Sequence, residues 1–150
     1  VLGRQALARC DAAELPLERR LPLGDMGAAA AALGDAEFAR RWLGESLEIA
    51  RRVADRTQDI LCRVHLGWLA LRHSQPAEAL AHLQAGLALA EQIGSCTEQG
   101  WLLCGLAEAQ RQLGRCEQAA RHAGRALKLA RATGRPYDEG LARRILSRLR

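Results

Sequence analysis

Apolar residues along this chain recur at helical spacing, and the pattern itself repeats. Ala39, Ala79 and Ala119 stand forty residues apart. Leu43 and Leu83 follow four residues later, with Ala123 as the third member. Ser46, Gly86 and Ala126 form a column of small residues, Leu47, Leu87 and Leu127 are identical, and so are Ala50, Ala90 and Ala130. A polar break precedes each run: Leu33-Gly34-Asp35-Ala36-Glu37-Phe38, His73-Ser74-Gln75-Pro76-Ala77-Glu78 and Leu113-Gly114-Arg115-Cys116-Glu117-Gln118. An internal period of this length marks stacked two-helix units. Such a unit has an apolar face it cannot cover alone; its neighbour covers it, so each unit needs small and large residues at the same places. The small column lets helices approach closely and the leucine column fills the space beside it. Single Ala or Leu matches are common in a chain rich in both; five columns in one register are not.

The fold expected is all-α, a right-handed α-solenoid of antiparallel helix pairs forming one domain over 1–150. The register sets Ala6, Leu7 and Cys10 under Ser46, Leu47 and Ala50, so residues 1–15 read as the remnant of a second helix and the chain as a piece of a longer protein. Leu15-Pro16-Leu17 ends that remnant, because proline cannot continue a helix interior. Helix pairs are expected over 21–55, 59–95 and 98–134. Pro22 falls in a first turn, where it is tolerated. Asp35 is placed to cap the helix from Ala36 to Ala54, and Thr97 the helix from Glu98 to Leu113. Pro76 opens the partner of the Ile60–Arg72 helix, and Gly134-Arg135-Pro136 breaks the chain before a last helix at 137–150. That helix is expected to cap the array with an apolar stripe of Leu141, Ile145 and Leu149, Leu146 beside it.

Composition sharpens this picture without changing it. Hydrophobic residues make up 49% of the chain but aromatics only 3%, so alanine and leucine do the packing. β-Branched residues are scarce, which gives strands little support. The net charge of +5 is spread along the chain and points to solubility and an acidic partner before nucleic acid. The five cysteines, Cys10, Cys62, Cys96, Cys104 and Cys116, contain no C-x-x-C pair, so neither a disulfide framework nor a zinc site is indicated. No apolar run is long enough to cross a bilayer and no signal peptide is visible, which suggests the reducing cytoplasm.

The columns resemble the tetratricopeptide repeat, which has W-x2-L-G-x2-Y in its first helix and A-x3-F in its second. Leu66-Gly67 stands twelve residues before Ala79-x-x-x-Leu83, Met26-Gly27 twelve before Ala39-x-x-x-Leu43, and Leu106-Ala107 twelve before Ala119-x-x-x-Ala123. The aromatic positions depart from the pattern: Arg63 and Leu103 stand at the Trp, Ala70 and Gln110 at the Tyr. The period is 40 in place of 34, similar to the arrays of bacterial LuxR-type and other signal-transduction ATPase regulators and of some scaffolds. A HEAT-type array shares the period but lacks the Leu-Gly…Ala-x3-Leu spacing.

The resemblance implies that the first helix of each pair lines a concave groove that binds protein or peptide. Carried over by position, the partner-binding candidates are Leu61, Val64, Trp68, Arg72, Trp101, Glu108, Arg111, Arg144 and Arg148, with Leu71, Cys104, Gln112 and Leu141 beside them. The first pair offers a smooth floor of Leu21, Gly24, Ala28, Ala31 and Ala32. Trp and Arg are frequent binding anchors, and Trp68 and Trp101 equally suit packing between repeats; the sequence leaves both readings open. Family members that grip a chaperone's C-terminal carboxylates use Lys and Asn where Val64 and Trp68 stand, so that clamp is absent.

His65, His73, His82 and His122 show no metal-ligand spacing, and no catalytic triad, phosphate loop or glycine fingerprint occurs. No enzyme activity, cofactor or metal is expected. The doublets Arg19-Arg20, Arg40-Arg41, Arg51-Arg52 and Arg143-Arg144 lack the interleaved aromatics of a nucleic-acid platform. The leading reading is a protein-interaction module of a larger regulatory protein, binding an acidic peptide with apolar anchors. The alternative is a ligand-sensing regulatory domain of a bacterial transcriptional or signalling regulator.

Overall fold

The computed structural model describes residues 2–6 and 16–150. Among them there is no strand. Residues 2–6 are helical; the rest of the expected 1–15 helix lies outside the described residues. A 3-10 turn at Pro16–Arg19 leads into α1 (Arg20–Leu33), α2 (Ala36–Arg52), α3 (Arg56–Arg72), α4 (Pro76–Ile93), α5 (Cys96–Gln112), α6 (Cys116–Thr133) and α7 (Pro136–Ser147). No described helix is long and apolar enough to cross a membrane. The chain forms two compact units, 1–66 and 67–150, and the division falls inside α3.

The junctions show why the chain folds into hairpins. One residue in each of the six junctions between these helices takes the left-handed conformation: Gly34, Ala54, Ser74, Gly94, Gly114 and Gly134. The next N–H then bonds five residues back, as in Asp35 to Ala30, Asp55 to Ala50, Gln75 to Ala70 and Arg115 to Gln110, at 2.8–2.9 Å. This satisfies carbonyls that the helix end would orphan and turns the chain sharply. The turn therefore recurs every twenty residues, twice per sequence period. Glycine adopts that conformation freely; Ala54 and Ser74, both at φ 55°, carry a steric cost of about 1–2 kcal/mol each.

The turn also sets where each next helix begins. Asp35 caps α2 as expected, its Oδ1 accepting the Phe38 N–H at 3.3 Å, and Asp55 does the same for Gln58 of α3 at 3.0 Å. Pro76 sits in the first turn of α4. Thr97 does not cap α5. Because Gly94 makes the turn, Ser95 takes the N-cap position and α5 starts at Cys96, which places Thr97 inside the first turn. There its hydroxyl accepts from Arg135 Nη1 at 3.1 Å.

Packing inside each pair follows the sequence columns, with a volume exchange. A Cβ on Gly27 would lie 2.6 Å from Leu43 Cγ, and one on Gly67 2.5 Å from Leu83 Cγ. Glycine leaves the space that the facing leucine fills. In the third pair both partners change together, to Ala107 and Ala123, and both are buried. Leu83 is gripped from a second side, since a Cβ on Gly105 of α5 would lie 2.9 Å from its Cδ1. Of the leucine column, Leu87 is buried, whereas Leu47 and Leu127 are half-buried.

The last helix packs against α5 and α6. Its buried stripe is Asp138, Ala142 and Ile145, not the expected Leu141–Ile145–Leu149. The helix starts at Pro136, and from that start Asp138, Ala142 and Ile145 fall on the inward face. Leu141 is left half-buried at its edge, and Leu149 lies beyond the helix end at Ser147.

Candidate functional site

In unit 67–150, the last turns of α3 and α5 and the second half of α7 enclose an open cleft of about 180 Å3. Trp68, Leu71, Leu141 and Ile145 form its apolar walls. Arg72, Arg144 and Arg148 stand around it as cations, and Glu108 and Gln112 contribute from α5. Each side chain arrives there by helical periodicity: Trp68 and Leu71 or Arg72, Glu108 and Gln112, and Leu141, Arg144 or Ile145 and Arg148 are three or four residues apart, hence on one face.

Glu108 is not free to meet a ligand's cation. Arg111 grips its carboxylate with two hydrogen bonds, Nε at 2.9 Å and Nη2 at 2.7 Å, and Gln112 Nε2 donates to it at 3.2 Å. The Arg111 bonds hold the Glu108 carboxyl below the usual carboxylate range against the opposing effect of burial; Gln112 and the more distant charge of Arg148 act in the same sense as Arg111. Gln112 also donates to the Leu71 carbonyl at 3.3 Å, which ties the end of α5 to the end of α3. Its Oε1 is buried without a hydrogen-bond partner among the described residues. Arg144 and Arg148 are exposed, and among the described residues neither side chain makes an ion pair or hydrogen bond. The cleft thus carries net positive charge over an apolar floor.

The sequence candidates divide. Trp68, Arg72, Glu108, Arg144 and Arg148 meet at this cleft. Trp68 also packs on α5, its Cε2 lying 3.5 Å from a Cβ built on Gly105. Arg111 lies at the far side of Gln112, beside Ser74 and Pro76. Trp101 is half-buried and its indole N–H donates to Asp138 Oδ1 at 3.0 Å, so it is engaged inside the unit. Val64 is 1% exposed and Cys104 is fully buried, its thiol pushed up to about 12 by burial and by the Asp138 charge; neither offers surface to a partner. Both sit on helix faces turned inward, whereas the resemblance sets Val64 in the groove and Cys104 beside it. Leu61 lies in unit 1–66, in a narrow pocket of about 50 Å3 with Asp25, Gln58 and His65. Of the smooth floor, Gly24 and Ala31 are themselves buried.

Two further residues belong to the site beyond the sequence candidates. Ile145 lines the cleft although its spacing had suggested a purely internal stripe. Asp138, only 2% exposed, accepts from both Trp101 and Arg135 and so anchors the α7 wall. A signal existed: Gln58, Glu98 and Asp138 share a register position, and Gln58 is also buried. A polar residue recurring one period apart at the start of each first helix marks an internal hydrogen-bonding position.

No curated protein matches the chain. The model of the tetratricopeptide repeat family matches residues 17–92, half of the chain. That match, the Leu-Gly…Ala-x3-Leu columns and the all-helical hairpins agree: the chain belongs to the tetratricopeptide repeat family.

Proposed function

We infer that this chain is a protein-binding module whose working surface is the cleft of unit 67–150. Tetratricopeptide repeats mediate protein–protein interaction in general. The observation that carries the reading to this surface is the meeting of Trp68 and three arginines over an apolar floor, where the matching positions of the first pair are Gly24, Ala28 and Ala32. Aromatic and arginine side chains dominate binding energetics at protein interfaces, and the cleft places them together. The occupant is an extended or helical peptide, acidic and partly apolar. The helix pairs over 21–55, 59–95 and 98–134 act as a platform, closed by 137–150. No catalytic role is part of this reading.

The 40-residue period supports a place in a larger cytoplasmic regulatory protein of the bacterial LuxR-type or signal-transduction ATPase class. Panning a random peptide library against the chain tests the cleft. Enriched peptides are expected to bind the parent and to lose binding in Trp68→Ala. Peptides indifferent to every substitution lining the cleft would overturn the reading.

A further inference from the structure

The cleft offers more than a generic groove, and its charges restrict what fits. We propose that it reads an internal acidic–apolar–acidic segment of a partner: one large apolar side chain seated between Trp68 and Leu141, with flanking Asp or Glu side chains held by Arg144 and Arg148. This deepens the protein-binding reading given above and rests on it.

The apolar half follows from size. A dry cavity of about 150 Å3 lined by apolar side chains accepts a benzene ring. The cleft, at about 180 Å3, is open on one side and walled by Trp68, Leu71, Leu141 and Ile145. Its volume suits one side chain of leucine or phenylalanine size.

The acidic half follows from which charges are already satisfied. Among the described residues Glu108 is the one carboxylate lining the cleft, and Arg111 grips it through both oxygens. Its hydrogen-bonding capacity is thus taken up by Arg111 and Gln112, whereas the side chains of Arg144 and Arg148 make no ion pair or hydrogen bond of their own among the described residues. Arg144 lies in the last turn of α7 and Arg148, four residues on, is its C-cap in helical conformation, so the two are one turn apart on one side. Guanidinium pairs with carboxylate in a two-point fork. Two guanidiniums one turn apart call for more than the single carboxylate that a chain terminus supplies. Acidic side chains on both sides of the seated residue provide it.

The test is fluorescence anisotropy with the full chain and a labelled peptide, amidated at its C-terminus, with Asp-Glu-Phe-Glu-Asp at the centre of a Gly/Ser background. Three companion peptides replace the acids by Asn and Gln, replace Phe by Ala, or carry one Phe at a free C-terminus in a neutral background. The acidic peptide is expected to bind best and to weaken as salt rises. Its affinity should fall on the order of tenfold in each of Arg144→Ala and Arg148→Ala. Both side chains are exposed, so the thermal melt should not move. Lys128→Ala on α6 is the charge control and should leave binding unchanged. Equal binding of acidic and amide peptides, with Trp68→Ala still weakening both, would overturn this inference and leave the cleft standing. Tighter binding of the free-terminus peptide would overturn it in favour of a terminal carboxylate. Absence of binding by the acidic peptide would overturn it, whereas acidic-peptide binding indifferent to Trp68→Ala would overturn the cleft as well.

Discussion

Where α2 presents its small residue to its neighbours, unit 1–66 carries Ser46; at the same register, unit 67–150 carries Gly86 on α4 and Ala126 on α6. All three are buried. The serine is satisfied by a local network. Its hydroxyl donates to the Arg20 carbonyl, accepts from Gln58 Nε2 at 3.0 Å and lies 3.3 Å from Cys62 Sγ. Arg20 in turn donates from Nε to Asp55 Oδ2 at 2.9 Å. Unit 67–150 has no such network at its small column; it places a polar pin elsewhere, at Trp101 and Asp138 of α5 and α7. One backbone plan thus tolerates either hydrogen-bonded or apolar contact at the small column, provided every buried polar atom is paired. The outward column shows the reverse freedom. Ala28, Trp68, Glu108 and Arg148 occupy one register position and share no property, whereas Ala39, Ala79 and Ala119 do not vary. Packing holds the inner columns constant, and function is free to write on the outer one.

The largest effect should come from the residue most tightly held. Leu83 is fully buried between Gly67 and Gly105, so Leu83→Ala should cost about 2–5 kcal/mol in urea unfolding. Gly67→Ala should cost about 1–3 kcal/mol by overpacking. The pair Ala107 and Ala123 shows that the two changes suit each other. The double variant Gly67→Ala with Leu83→Ala should therefore cost clearly less than the sum of the single changes. Additive costs would show that the glycine–leucine exchange is not the packing rule.

Asp138→Ala leaves the Trp101 N–H and Arg135 without their acceptor and should cost about 1–3 kcal/mol, with a change in tryptophan fluorescence. An unaltered emission spectrum would mean that Trp101 is not held this way. Ser74→Gly should act with the opposite sign. It removes a side chain from a left-handed backbone position and should stabilise by about 1 kcal/mol; a lower melting temperature would argue against strain at that turn. The smallest effect is expected at Glu108. Its carboxyl titrates below the ordinary value in the folded chain, so its contribution is present above the unfolded value and lost as pH falls through the folded one. Glu108→Gln should thus lower stability at neutral pH by less than about 1 kcal/mol, because Arg111 is partly exposed, and should flatten the acid limb. An unchanged acid limb would place the shift elsewhere.

The helix pairs were legible because turns and inner columns obey one period. Gly34, Gly94, Gly114 and Gly134 mark four of the six junctions openly; Ala54 and Ser74 hide the other two, and the register supplied them. Residue type alone favours Thr97 as a cap, whereas the left-handed Gly94 fixes the start of α5 at Cys96. The cleft was half legible. Position along the first helices picked out Trp68, Arg72, Glu108, Arg144 and Arg148. It could not tell that Trp101 would bond Asp138 or that Arg111 would close on Glu108, since both depend on side chains meeting within the folded unit. Val64 failed for a simpler reason: one residue's shift around a helix separates the cleft from the core.

Binding is proposed to belong to unit 67–150 and to its cleft. The most direct measurement is an NMR titration of the isotope-labelled chain with the acidic phenylalanine peptide. The shifts should concentrate at Trp68 to Arg72, Glu108 to Gln112 and Leu141 to Arg148, with α1 and α2 unmoved. Shifts centred on the stacked Phe38–Trp42 pair of α2, or on the outward faces of α4 and α6, would contradict it.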